Sequence, residues 1–243
     1  MQKQVNPINE TNNDARVLAR QLIRTARFGA IGVLQDDGSP LVSRVLVGTE
    51  ATGNPVILIS ELSEHTKAIE KNNQVSLLLG EPKKGDPVAH PRISLQGNAR
   101  LIPKESDQYS NIRARFIARH PKSELYIGFA DFQIFQIDAK SANLNGGFGK
   151  AFHLKPNDFL SIETKLSMME SEIINIINNQ HKDFLSNHAK NNESGWRLIG
   201  IDCDGFDVAN GDIIDRREFK VPMSEAISPA DAIAFLTNSE NLK

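Results

Sequence analysis

The chain has 243 residues, with 28 Lys+Arg against 30 Asp+Glu and a net charge of −2, and 40% hydrophobic residues. That balance is ordinary for a globular protein and excludes a global electrostatic footprint for nucleic acid or anionic membrane. No apolar run approaches the ~20 residues of a membrane helix, and MQKQVNPINETNNDA has no secretory core.

Cys203 is the only cysteine, so an intramolecular disulfide and a thiolate metal cage are both excluded, which favours a reducing, cytoplasmic setting. Residues 1–12 are polar and expected to fray. Asn13 or Asp14 can cap a helix over 14–27, with Val17, Leu18, Leu22 and Ile23 on one face.

Strand-forming runs follow at 30–34, 41–48, 56–60, 75–80, 91–102 and 131–138. Asp36-Asp37-Gly38-Ser39-Pro40 predicts a hairpin between the first two. Short helices are expected at 64–73 and 104–119, the latter burying Tyr109, Ile112, Phe116 and Ile117. The glycines of GGFGKAF, 146–152, suit close packing or a loop beside a ligand.

Beyond Pro156-Asn157-Asp158 the pattern changes. A long helix is predicted over 166–190, then three short strands, then a helix over 228–238 capped by Ser228 with Pro229 at its first position. Residues 1–160 carry 20 Lys+Arg against 16 Asp+Glu, and residues 161–243 carry 8 against 14. We therefore expect a mainly β domain over 1–160 and a small α+β acidic accessory domain over 161–243, with different partners.

The chemistry-bearing residues are dispersed. The sequence has no P-loop, no GxGxxG after a strand, no HExxH and no GxSxG. His181 and His188, two turns apart on the expected helix, would lie about 10 Å apart, too far to share a metal. Arg44 sits between Val42 and Leu46 in strand alternation, which puts a guanidinium on an apolar face where an anion would have to meet it. Ser60, Ser63, His65, Thr66 and Lys67 fall where a strand turns into a helix, a place for an anion. With Arg92 at the head of another strand, they could hold a phosphate monoester. The plainer reading pairs Arg44 with a carboxylate and leaves Ser63 as a helix cap.

LVSRVLVG, VILISELSEHTKAIEKNNQVSLLLG, GDPVAHPRISLQGNA, RARFIARHPKSELYIGFADFQIFQID and GGFGKAF, in that order over about 28–152, resemble the FMN-binding split barrel family that includes pyridoxamine 5′-phosphate oxidase. The likeness is greatest to its HugZ-like haem-utilisation branch. GWRLIGIDCDGFDV with Arg216 and Phe219 resembles the α+β domain often fused to such barrels. Where that domain reads HMNxDH, this chain has IINNQH, keeping Asn178 and His181.

The resemblance implies an antiparallel split β-barrel with flanking helices, a homodimer, and FMN in the groove between subunits. It would place Arg44 and the Val45 backbone along the cofactor. Ser60, Ser63, His65, Thr66 and Lys67 would stand at its phosphate or ring edge, and Arg92 near the ring. A haem-degrading activity would need an axial histidine, for which His153 is the candidate, oriented by Asp131. The terminal Trp and Arg-rich segment of the vitamin-making oxidase is missing, so that reaction is not assigned.

The resulting expectation is an FMN-binding flavoprotein with oxidoreductase activity related to haem utilisation. The alternatives are a haem-binding or regulatory protein without flavin turnover, whose C-terminal domain docks a protein partner, and a flavin-storage protein.

Overall fold

The structure, a computed structural model, describes residues 8–147, 149–188, 194–223 and 228–242, without the side chains of 186–188. Six antiparallel strands form a closed barrel: β2 (Phe28–Leu34), β3 (Pro40–Thr49), β4 (Pro55–Ser60), β5 (Gln74–Leu79), β6 (Arg92–Leu101) and β7 (Phe132–Asn145). Their order is β7-β4-β3-β2-β5-β6, and β6 pairs with β7 to close the ring. Every expected barrel strand is present. β7 runs on to Asn145 because its partner β6 is ten residues long and pairs along its whole length.

Alternation explains the barrel. β5 reads exposed-buried throughout, so Val75, Leu77 and Leu79 point inward with Ile31, Val33, Val45, Val47, Ile93 and Leu95. β4 is buried on both faces. Ile57 and Ile59 join the barrel core, while Val56 and Leu58 pack under helix α3 (Tyr109–Arg119) with Ile112 and Phe116. That two-sided burial is why VILI reads as a continuous apolar run.

Helix α1 (Asn13–Thr25) is capped by Asn12, whose side chain accepts from the Ala15 amide, and it sends Ala15, Ala19 and Ile23 into the barrel core. The expected fraying of 1–12 is corrected at β1 (Ile8–Asn9), which pairs in parallel with β8 (Ala151–Leu154). Between β4 and β5 lies α2 (Glu64–Lys71), as expected. The expected 104–119 helix begins only at Tyr109, after a turn in which the Tyr109 amide donates to the Ser106 carbonyl.

The C-terminal residues form a three-stranded antiparallel sheet, β9 (Arg197–Asp202), β10 (Gly205–Asn210) and β11 (Ile213–Glu218). After the short α4 (Pro156–Phe159) come α5 (Leu166–Gln180), α6 (Lys182–His188) and α7 (Pro229–Thr237). Leu166, Ile173 and Ile177 of α5 and Ala232 and Leu236 of α7 share a second core with Leu198, Phe206 and Val208. The single helix expected over 166–190 is broken at His181, whose backbone leaves helical angles at ψ 43°. His181 and His188 therefore do not share one helix. Met168, expected on its buried face, is exposed.

No helix among the described residues is long and apolar enough to cross a membrane.

Candidate functional site

The strand-to-helix turn gathers most of the residues singled out in the sequence. The Ser60 hydroxyl donates to Asp131 Oδ2 at 2.8 Å. The hydroxyls of Ser63 and Thr66 both donate to the Ser60 carbonyl at 2.7 Å, and His65 Nε2 lies 3.0 Å from Ser63 Oγ. Burial lowers the His65 pKa, which favours its neutral ring, and Ser63 Oγ also lies 2.7 Å from Thr66 Oγ1. Ser63 stands at the helix cap, and its hydroxyl turns back to Ser60 instead of capping an amide.

Lys67 pairs with Glu64 at 2.7 Å, and Glu61 accepts from the Gln133 side-chain amide. The turn thus holds three carboxylates, Glu61, Glu64 and Asp131, against one lysine already paired. A phosphate dianion there meets like charge and hydroxyls already spent.

Arg44 departs from the buried setting expected of it. Its alternation partners Val42 and Leu46 lie on the outer face, Val42 68% exposed and Leu46 half-buried against the cluster under α3, and Arg44 itself is exposed. Its guanidinium carbon sits 5.3 Å from the centroid of the Phe28 ring, a cation–π contact in place of the expected buried anion. The Val45 side chain is buried in the barrel, leaving only its backbone for a ligand. β3 and β4 pair only at Val47–Ile57, Gly48–Val56 and Thr49–Pro55. Arg44 and Ser60 each stand three residues beyond the last pair, on strands no longer bonded to one another.

Arg92 is not gathered into that turn. Register runs Arg44–Ala30–Leu78–Ser94 across four strands, about 14 Å at ~4.8 Å per strand. Arg92 lies two residues from Ser94, and its guanidinium donates to the Val88 carbonyl at 2.9 Å.

His153 is exposed on β8 opposite Asn143, while Asp131 precedes the far end of β7. Roughly 35–40 Å of strand separates them, so Asp131 does not orient His153. The glycine loop before it is a hairpin: Gly147 and Gly149 have φ of 110° and 73°, which accounts for them by turn geometry. Among the described residues no group of three metal-ligating side chains is found.

A cluster that the sequence reading missed lies between the barrel and the small sheet. Arg24, Arg115, Arg119 and Arg216 are all buried, with Glu170, Asp202, Asp207 and Asp215. Arg24 meets Asp202 at 2.7 Å, Arg119 meets Asp207 at 3.3 Å, and Arg115 meets Glu170. Arg216, paired across strands with Asp207, holds Asp202, Asp207 and Glu218 together.

Burial pushes the Asp202 carboxyl up, but Arg216 and Arg24 outweigh it and hold the pKa well below the carboxylate range. Burial lowers Arg119 to about 10, and the group stays charged at neutral pH. The available signal was the i, i+4 pair Arg115 and Arg119 bordering Ile112 and Phe116 on one face. Asn178, kept from the HMNxDH pattern, exchanges both amide bonds with the Leu198 backbone at 2.8 and 3.0 Å, a structural role.

A closed six-stranded antiparallel barrel whose β3 and β4 part after three pairs, with helices packed outside, is a split-barrel protein. Residues 10–161 match the sequence model of the CREG β-barrel family, and the chain belongs to that family. The protein named "Non-canonical heme oxygenase HOZ, chloroplastic" of Arabidopsis thaliana is 34% identical over 146 residues, 57% of this chain. The match covers 43% of that relative's length.

Among solved structures, Atu2129 of Agrobacterium tumefaciens, of unknown function, aligns with a TM-score of 0.79 at 24% identity, covering 95% of this chain and 99% of that one. A heme-binding protein of Mycobacterium smegmatis aligns with a TM-score of 0.58 at 22% identity, covering 95% and 96%.

Proposed function

We propose that this chain is a haem-handling split-barrel protein, binding the tetrapyrrole as ligand or as the substrate of an oxygenase. The observation that carries the reading is the 34% identity with a haem oxygenase over 146 residues. The surface chemistry agrees with it. Haem is a flat apolar body with two carboxylates, and the outer face of β3, β2 and β5 offers Val42, Leu78 and Ala30 beside the Arg44 guanidinium. A second copy covering the same exposed face gives the homodimer. Residues 1–160 are then the ligand-binding domain, and 161–243 an accessory domain seated on it, in a reducing compartment such as the cytoplasm.

A second reading is an FMN-dependent oxidoreductase, with Arg44, Val45, Ser60, Ser63, His65, Thr66, Lys67 and Arg92 around the flavin. The hydroxyl cluster at the head of α2 favours it. The three carboxylates of that turn and the distance to Arg92 weigh against it.

Titration of the purified protein with haemin and, separately, with FMN tests both. A saturable Soret shift at about one haem per chain supports the first reading. A change in the flavin band with no Soret response replaces it by the second.

A further inference from the structure

We propose that the tetrapyrrole lies in the groove on the outer side of β2, β5, β6 and β7, with a propionate on Lys140; this rests on the haem reading above. The groove measures about 510 Å³, inside the ~300–1,000 Å³ range of small-molecule sites, and most of its surface is apolar. Register runs Gly32–Ser76–Gln96–Ser141 across the four strands, about 14 Å at ~4.8 Å per strand. Gly32 and Ser76 keep the floor low, and Leu34 and Pro40 wall it on the side of the β2–β3 hairpin. Gly32 also pairs with Val42, and Ala30, two residues along β2, pairs with Arg44. The groove therefore continues the exposed face on which the haem reading rests.

A β-bulge brings the cation to it. Gln96 pairs with Ser141 and Gly97 with Ala139, so Lys140 is the extra, unpaired residue of β7. The bulge breaks the alternation of the strand. Ala139 and Ala142 are buried, while Lys140 and Ser141, consecutive in sequence, both line the groove. Lys140 is exposed and has no ion pair or hydrogen bond among the described residues. Asp138, two residues before it, is held by Arg100 at 3.0 Å. Ser141 Oγ donates to Gln96 Oε1 at 3.1 Å, which leaves the Gln96 amide nitrogen as a second donor beside the lysine.

Charge separates this groove from the other hollows of the surface. None of its lining residues carries a carboxylate. The cavity beside α2 holds Glu70 and Asp138, and the one under the β10–β11 hairpin holds Glu81, Asp212 and Asp215. An apolar floor with a free cation at one end complements a flat apolar body with carboxylates on one edge. No histidine, cysteine, methionine or tyrosine lines the groove, so it grips the macrocycle and its carboxylates and gives the iron no side-chain ligand.

The test is titration of the full-length wild type, Lys140→Met and Gly32→Leu with haemin, with iron-free protoporphyrin IX and with protoporphyrin IX dimethyl ester. Soret absorbance and porphyrin fluorescence report binding, and near-UV circular dichroism reports the fold. The wild type is expected to bind protoporphyrin IX within ~3-fold of haemin, because iron ligation contributes nothing at this site. Lys140→Met should weaken the free acid ~10-fold and leave the ester unchanged, a split that a merely structural lysine would not give.

A Cβ at Gly32 meets only Ser76 atoms, at 3.7 and 4.0 Å, so the leucine fills the groove without displacing the core. Binding of haemin and of both porphyrins should fall ~10-fold or more there. If haemin binds and protoporphyrin IX does not, if Lys140→Met changes acid and ester alike or neither, or if Gly32→Leu binds as tightly as wild type, this site is wrong and the haem reading survives. If the wild type binds no haemin, both fall.

Discussion

Arg24 and Asp202 meet at 2.7 Å with side-chain exposures of 0% and 2%, one on the first helix and the other at the end of β9. The contact is an ion pair whose N–H direction misses the oxygen, so its strength is Coulombic. Arg24 Nη2 is satisfied instead by the Ala51 carbonyl at 3.0 Å and Ser161 Oγ at 2.8 Å. Asp202 accepts both terminal nitrogens of Arg216 at 2.9 Å.

Removing one partner strands a buried charge. Asp202→Ala is expected to cost about 3–5 kcal/mol, because Arg24 and Arg216 lose their shared anion. Surface pairs such as Lys67–Glu64 should cost about 1 kcal/mol or less. Urea denaturation of Asp202→Ala and Glu64→Ala checks the ranking. Equal midpoints would show that the seam carries no special stability.

Mild acid should weaken the fold before any carboxylate titrates. Burial lowers His120 to about 4, helped by the nearby charges of Arg119 and Arg27 and opposed by its bond to the Val47 carbonyl. The unfolded chain, titrating near 6.5, binds the proton first. Stability is therefore full above about pH 6.5 and falls toward pH 4, by as much as ~3 kcal/mol. Asp202 adds a second loss below its unfolded pKa of about 3.9, because its folded pKa is depressed. His120→Gln should flatten the first window and leave the second, as read by denaturation midpoints against pH.

Gly97 lies at the register shift in the β6–β7 ladder, and a Cβ there would stand 2.4 Å from the Asp138 carbonyl oxygen. Gly97→Ala must move backbone, so a loss of about 1–3 kcal/mol or more is expected. Gly128, with nothing within 4 Å of its Cβ position, should accept alanine with little change. Thermal melts of the pair distinguish close approach from a general intolerance of glycine replacement.

Arg44→Ala removes the cation over Phe28 without touching the barrel interior. Haemin affinity should fall roughly five- to tenfold, about 1–1.4 kcal/mol, with an unchanged melting temperature. An FMN affinity that falls while haemin binding stays level would favour the flavin reading.

The barrel was legible because its strands obey local rules. The Asp37-Gly38 turn joins β2 and β3 as the hairpin signal implied, and Ser228 caps α7 with its hydroxyl on the Asp231 amide. Asn178, Arg115 and Arg119 were not legible, because their partners lie 20, 55 and 88 residues away in sequence. The uneven charge was visible, and its meaning was not. The basic first part and the acidic remainder face each other across one seam, where Arg20, Arg24, Arg115 and Arg119 meet Glu218, Asp202, Glu170 and Asp207.

Amino-acid order alone determined what depends on neighbours two to four positions apart: alternation, helix faces, caps and turns. Only the folded arrangement decided which way Arg44 turns, which charges of the 60–67 turn cancel, and that Lys140 borders an apolar groove. Those outcomes depend on the direction of side chains brought together from distant strands, and no local pattern encodes that direction.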